Sequence, residues 1–418
     1  MANTPLGDFL PRHAERAVVE ALGDTRVVLV NGARQCGKST LVRRLAKGRT
    51  AEWRDLDAAV TRQAALTDPD GFVAFPELMV IDEIQRAPEL LLAIKAQVDH
   101  DTRPGRYLLT GSSRLLDLKD LPDTLPGRME TIELWPFAQG EIDGTADRFV
   151  DAIFAEGPAL RHYSEITRTG YADRLVRGGF PEAVARDNVR RRGRFFDSYV
   201  GDLIARDVRQ LAQIERGPDM RALVRLLAGR SGQLLVANAL STELGVPAST
   251  VSRYLVLLEE VFLIKRIPAW SRNLTSRAIA TPKVGFVDSG VAANVLGTDA
   301  RGLVRPGGAF GPLLEAFVLM ELARQLTWSD EPADLYHYRT KDGAEVDAVL
   351  ENRQGRVVGI EVKAASTVRA EDFKGLKHLA DRLGDDFVAG VVLYTGTQTL
   401  PFGDRMRAMP VGALWEVG

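Results

Sequence analysis

The chain has 418 residues, 45% hydrophobic and 26% charged, which is too long for one ordinary core and implies a soluble globular protein of two or three domains. With 54 basic and 56 acidic side chains the net charge is −2, so no global field draws the molecule to nucleic acid and any such site must be a local patch. No stretch approaches the roughly 18 apolar residues of a membrane span, the first residues lack a leader-like apolar core, and the single cysteine, Cys36, rules out an internal disulfide framework or a cysteine metal cluster. The expectation is a cytoplasmic protein with no membrane partner.

Five short apolar segments fill the first third, at residues 26–31, 51–56, 78–82, 106–111 and 129–134, separated by helix-like or loop stretches. That alternation predicts an α/β domain with a mostly parallel sheet covered on both faces. Directly after the first segment, Gly32-Ala33-Arg34-Gln35-Cys36-Gly37-Lys38-Ser39 satisfies every fixed position of GxxxxGK[ST] and leads into the helix-like run that starts at Thr40. Glycines there let the backbone wrap an anion, so that amide N–H groups and the positive helix end face phosphates. Lys38 is expected to reach the β- and γ-phosphates of ATP and Ser39 to bind Mg²⁺.

The third segment, Leu78-Met79-Val80-Ile81, ends in Asp82 and Glu83. Asp82 is the expected Mg²⁺ residue and Glu83 the base that polarises the attacking water, against the plainer reading of two acids capping the next helix. The fourth segment ends in Gly111-Ser112-Ser113, which makes Ser112 a γ-phosphate sensor candidate or a loop serine with local bonds only. Arg128 is a candidate for positive charge supplied to a neighbouring subunit's phosphates, which implies a homo-oligomer.

Helical periodicity dominates from about 145 to 270. Phe196, Tyr199, Val200, Leu203 and Ile204 lie on one face of a predicted helix that reaches Arg209, and five arginines between Arg186 and Arg194 precede them as a solvated face or a phosphate-contacting patch. The segment from 271 to 290 reads as a loop. The last third predicts a helix from about Pro312 to Leu326, three strands, a helix near 371–382 and a strand.

Taken together, GARQCGKSTLVRRL, LMVIDEIQRAPELL, YLLTGSSRLL, LPGRMETIELWPF, GGFPEAV and PKVGFVDSGV resemble, in that order, the prokaryotic AAA+ ATPases that carry a C-terminal domain of unassigned function. The resemblance runs over nearly the whole chain. It implies ATP hydrolysis and carries phosphate-loop, metal-binding and sensor roles to Lys38, Ser39, Asp82, Glu83 and Ser112. The expected division is an AAA+ P-loop ATPase domain at 1–145, a helical and winged helix-turn-helix domain at 146–285 and a PD-(D/E)xK nuclease-like α/β domain at 286–418.

The middle part of that division rests on two helices, about Val236 to Leu244 and Ser249 to Glu260, followed by a wing-like FLIKRIP; the stretch resembles a winged helix-turn-helix. Ser249, Thr250 and Arg253 in the first turn of the second helix are the expected DNA contacts, although one charge reads bases poorly and a packing module of the ATPase is the alternative. The last part rests on Glu315, Asp347, Glu361 and Lys363, which match the helix acid, sheet acids and lysine of the PD-(D/E)xK nucleases. Three such acids can bind one or two Mg²⁺ or Mn²⁺ ions, and the lysine can position a water for phosphodiester attack. Two functions follow: an ATP-driven enzyme acting on branched or duplex DNA, or a regulatory ATPase switch that binds a protein partner through a catalytically inactive nuclease-like domain.

Overall fold

A computed structural model describes residues 9–112, 125–208, 217–273, 275, 277 and 280–418. The end of the YLLTGSSRLL motif from Ser113 onward, and Arg209 at the end of the predicted helix, lie outside the described residues. Two compact units emerge, one spanning Phe9–Pro136 with Glu260–Phe262, the other Phe137–Glu259 with Leu263–Gly418.

The first unit contains α1 (Ala14–Asp24), β1 (Val27–Asn31), α2 (Lys38–Ala46), β2 (Ala51–Asp55), β3 (Leu78–Asp82), α3 (Leu90–His100), β4 (Tyr107–Gly111) and β5 (Met129–Glu133). Each of the five apolar segments is a strand. They form one parallel sheet in the order β2-β3-β4-β1-β5. β1, β3 and β4 are buried at every residue, as strands covered on both faces must be. On one face Val27, Leu29, Met79, Ile81 and Leu109 join Leu90 and Ile94 of α3 in a single apolar cluster, while α1 and α2 cover the other. Placing β4 between β1 and β3 brings the carboxyl ends of three strands onto one edge, where open α/β sheets hold their ligands.

The first half of the second unit contains helices α4 (Arg168–Arg177), α5 (Val189–Asp202), α6 (Gly217–Gly229), α7 (Ala237–Leu244) and α8 (Ala248–Glu260). Phe196, Tyr199, Leu203 and Ile204 are buried as the spacing requires, and the backbone leaves α-helical form after Asp202 for a π-helical turn, Leu203–Val208. α7 ends at Gly245, whose φ of 68° is the left-handed cap that glycine adopts without strain. Val251, Tyr254, Leu255 and Leu258 of α8 face the core.

β6 (Ile264–Ile267) pairs antiparallel with β7 (Lys283–Phe286), which corrects the reading of 271–290 as loop. Four residues containing one glycine are too short to show a strand period in sequence, and it is the partner strand that fixes them. After β7 come α9 (Ser289–Val295), α10 (Ala300–Val304), α11 (Phe310–Gln325), β8 (Ala333–Arg339), β9 (Glu345–Asn352), β10 (Val357–Lys363), α12 (Lys374–Leu383), β11 (Phe387–Tyr394), β12 (Leu400–Pro401) and β13 (Met406–Pro410). The six-stranded sheet runs β12-β13-β11-β10-β9-β8, antiparallel from β8 to β10 and parallel from β10 through β11 to β13. α11 packs against β7, β9 and β10, and α12 packs on β9, β10 and β11. The predicted order of helix, three strands, helix and strand is therefore present, extended by a final pair of strands.

Candidate functional site

The loop between β1 and α2 has the backbone of an anion cradle. Gln35 and Gly37 adopt positive φ, 61° and 102°, while Cys36 between them does not, an alternation that can turn successive amides toward one point. Glycine is required at position 32, where a Cβ would stand 2.0 Å from the Leu134 carbonyl oxygen. Cys36 is buried and its Sγ donates to the same carbonyl at 3.2 Å. Arg12, which sequence reasoning missed, fastens the loop from the side by donating to Cys36 O at 2.8 Å and Trp135 O at 2.6 Å.

Lys38 is buried, and its Nζ donates to the carbonyls of Gly32 and Ala33 at 3.0 and 2.9 Å. The ammonium thus already lies across the cradle. Ala33 is buried, Arg34 is half-buried and Thr40 is exposed on α2. Ser39 Oγ donates to Asp82 Oδ1 at 3.0 Å, so a hydroxyl from the phosphate loop and an acid from the end of β3 meet at one place. A hydroxyl and a carboxylate beside phosphates are the oxygen donors that Mg²⁺ takes, and the residues present fit such an ion. Burial holds the Asp82 carboxyl above its ordinary range, against the two hydroxyl bonds that pull it down.

Thr110 is a second residue that sequence reasoning missed. Its Oγ1 donates to Asp82 Oδ1 and accepts from Glu83 N at 2.9 Å, joining both acids to β4. The available signal was one threonine near the end of an otherwise apolar strand. Glu83 holds a left-handed backbone, φ 60° and ψ 50°, a conformation that costs a non-glycine residue about 1 kcal/mol or more and is typical of functional positions. Its carboxylate accepts from Ser112 Oγ and from Gln85 Nε2, and Gln85 Nε2 also donates to Ser112 Oγ at 2.7 Å. Ser112 is buried in that triangle, so its hydroxyl is directed at the second acid.

Arg128 lies elsewhere. It precedes β5 at the amino end of the sheet, the edge opposite the loop, and its Nε pairs with Asp99 at 2.5 Å.

The C-terminal acids do converge. Asp347 on β9, Glu315 on α11 and Glu361 on β10 share one site, and Lys363 Nζ donates to Glu361 Oε1 at 2.8 Å. Between them stands Lys283 of β7, only 2% exposed, whose Nζ meets Glu315 Oε1 at 2.6 Å, Asp347 Oδ1 at 2.9 Å and Glu345 Oε1 at 3.3 Å. The remaining oxygen of Asp347 accepts from Val362 N at 2.9 Å. Burial, then the Asp347 charge, pushes Glu315 up to about 8 and Glu361 up to about 7, with the lysines opposing. The carboxylates raise Lys283 further than its burial lowers it. Among the described residues no group of three or more metal-ligating side chains stands open to an ion. Where the sequence leads one to expect Mg²⁺ or Mn²⁺ on these acids, an internal ammonium stands among them, carried on β7 within the segment expected to be loop.

Of the expected DNA contacts on α8, Ser249 and Arg253 are exposed and Thr250 is half-buried; the Arg253 guanidinium lies 5.8 Å from the Tyr254 ring centroid. No helix among the described residues is long and apolar enough to cross a membrane.

Residues 24–143 match the AAA domain, 168–302 match a domain of unknown function, DUF8612, and 310–414 match another, DUF4143. The uncharacterized protein Rv2008c of Mycobacterium tuberculosis is 30% identical over 412 residues, covering 97% of this chain and 85% of its own. An uncharacterized protein of Haemophilus influenzae is 23% identical over 74% of this chain and 72% of its own. Among solved structures, the Walker-type ATPase PABY2304 of Pyrococcus abyssi is 17% identical, with a TM-score of 0.44 over 69% of this chain and 96% of its own. With its phosphate loop, its AAA-domain match and a relative 30% identical over 97% of its length, the chain is an AAA-like P-loop ATPase and belongs to the same family as Rv2008c.

Proposed function

We propose that the chain is an ATP-driven switch that hydrolyses ATP at the loop between β1 and α2 and acts on its target through the second unit without cutting DNA. The observation that carries the first half is the junction of Ser39, Asp82, Thr110, Glu83 and Ser112 at the carboxyl ends of β1, β3 and β4. In this reading the loop amides from Gly32 to Thr40 and the Lys38 ammonium hold the β- and γ-phosphates. Ser39 and Asp82 hold Mg²⁺, which when bound neutralises phosphate charge and orients the transferred group. Glu83 accepts the proton of the attacking water, and Ser112 and Gln85 set the direction of its carboxylate. Thr110 fixes Asp82 and Glu83 relative to one another, so that both acids keep their places through the reaction.

The second half rests on Lys283. Its ammonium pairs with Glu315, Glu345 and Asp347 where a nuclease would need those oxygens for a cation, which favours an inactive nuclease-like docking domain over a cleaving one. The DNA-acting alternative keeps its support from the exposed Ser249 and Arg253 at the start of α8, in a helix pair and two-stranded ribbon that resemble a winged helix. One experiment separates the two readings. ATP turnover and cleavage of linear, forked and four-way DNA are measured with Mg²⁺ and with Mn²⁺, over a salt series that would expose phosphate contacts. The switch reading predicts turnover that DNA does not stimulate, and no cleavage in either metal. DNA-stimulated turnover with steep salt dependence would establish the alternative, and the same assay against protein concentration tests for an oligomer.

A further inference from the structure

Outside the nucleotide loop and the acid cluster, the second unit holds a cavity of about 700 Å³ between α4, the start of α5 and the start of α10. Its wall carries four arginines, Arg174, Arg177, Arg192 and Arg301. Arg174 is matched in the ordinary way, by Asp143 at 2.8 Å and by Gln139 Oε1 at 3.0 Å. Arg177 and Arg192 are not. The first donates from Nη2 to Gln139 Oε1 at 3.2 Å, the second from Nη2 to the Arg186 carbonyl at 2.8 Å, and neither pairs with a carboxylate among the described residues. The Nε of each is buried without a partner.

A half-buried guanidinium whose direct hydrogen bonds go only to neutral oxygens recovers only part of the hydration it loses, here from acids that do not pair with it directly. The cost falls here twice, on the same wall. Burial lowers both arginines from their ordinary range, and the charges of Arg174 and Arg192 lower Arg177 further, against smaller opposing effects of Asp143 and Asp173 on Arg177 and of Asp187 and Asp173 on Arg192. Arg192 belongs to the five-arginine stretch of the sequence, yet Arg190, Arg191 and Arg194 are exposed while Arg192 turns into the cavity. The stretch is therefore not simply a solvated face. Fixed positive groups with no direct ion pair, in a space large enough for a small metabolite, are what recognition of an anion requires.

The rest of the wall narrows the chemistry. Ile166, Val176 and Val189 provide an apolar side, and the acids Glu165, Asp173 and Asp299 also line the space. Asp299 is engaged in capping α10 through Gly302 N at 2.7 Å. Glu165 and Asp173 would repel a bare polyanion but accept hydrogen bonds from hydroxyl or amino groups. We propose that this cavity is a second ligand site, separate from the nucleotide loop, which binds a small phosphorylated molecule bearing hydroxyl or amino donors, its phosphate on Arg177 and Arg192.

The test uses the full chain with ribose 5-phosphate and with pyrophosphate as probes, followed by calorimetry and by thermal melting. Ribose 5-phosphate is expected to bind wild type and Lys38→Ala alike, and to bind the double variant Arg177→Gln, Arg192→Gln at least about tenfold more weakly, the loss that follows from removing charge-assisted bonds to a phosphate. Pyrophosphate, which lacks the donors, is expected to bind more weakly at this site than ribose 5-phosphate. Without any anion the double variant should melt no lower than wild type, because it gives up two unpaired charges. Binding that disappears in Lys38→Ala, binding that survives in the double variant, failure of both probes to bind at about 10 mM, a strength corresponding to only about 3 kcal/mol, or a lowered melting point of the anion-free double variant would each overturn the proposal.

Discussion

The two acidic sites of this molecule solve one electrostatic problem in opposite ways. At the end of β3, Asp82 is met by two hydroxyls, Ser39 and Thr110, which steady it without neutralising it. At the start of β7, Glu315 and Asp347 share one ammonium, which offsets part of their charge. Hydroxyl partners add no positive charge to the acid they hold, whereas the buried lysine offsets part of the charge of the acids around it. Three acids and a lysine spaced as a nuclease motif therefore say less about chemistry than the partner that a distant strand delivers to them.

The largest effects should come from the nucleotide loop. Lys38→Ala is expected to abolish ATP turnover and to weaken ATP binding by about 100-fold or more in equilibrium titration, the order of a lost charge-assisted contact to buried phosphates. Glu83→Gln should separate the two properties: turnover falls by about 100-fold or more, in the range of a lost general base, while ATP affinity stays within about threefold. Equal loss of binding in both variants would show that the acids at the end of β3 are assigned wrongly, and the contrast with the C-terminal site would fail.

Next in size is Lys283→Ala, which strips the ammonium from two buried carboxylates. Removal of one partner from a buried pair costs about 3–5 kcal/mol, so denaturant unfolding should show a loss of that order near pH 8, reduced by acid or by Mn²⁺. An unchanged midpoint would mean that Lys283 is not what neutralises the cluster.

The pH dependence sharpens the point in wild type. Glu315 is raised in the fold to about 8 and Glu361 to about 7, above their ordinary 4.5. Folding then binds protons, so the stability linked to these groups is fully present below about pH 4.5 and is lost as the pH rises toward 8. Glu315→Gln should flatten that decline in unfolding free energy measured from pH 5 to 8, and a decline of unchanged slope would contradict it. The smallest effect expected is for Thr110→Val, which removes one hydroxyl from both acids: a stability loss of about 1–2 kcal/mol, with a fall in turnover that exceeds any fall in ATP affinity.

The contrast also marks what could be read from sequence. β1, β3 and β4 were legible because fully buried parallel strands are continuous apolar runs, the part-exposed edge strands β2 and β5 followed from the same alternation, and the phosphate loop was legible because its chemistry is local: Gly32, Gly37, Lys38 and Ser39 lie close together in the chain. Glu315, Asp347, Glu361 and Lys363 were found, and they do meet. Lys283 was not, because its role depends on β7 pairing with β6 and packing under α11, and nothing within its own loop-like segment marks it. Arg12 escaped for the same reason, as did the contact of Gln85 with Ser112, since the fold rather than the chain brings these residues near. Arg177 and Arg192 were visible only as basic residues, and burial without a carboxylate is a property of the packed unit.

The most direct test of this account is a count of Mn²⁺ bound per chain at pH 7.5, by paramagnetic resonance, for wild type and Asp347→Asn with and without a non-hydrolysable ATP analogue. The account predicts one tightly held ion that appears with the nucleotide, is lost in Asp82→Asn and is untouched by Asp347→Asn. A further ion that binds without nucleotide and vanishes in Asp347→Asn would show that the C-terminal acids hold metal despite Lys283, and would contradict it.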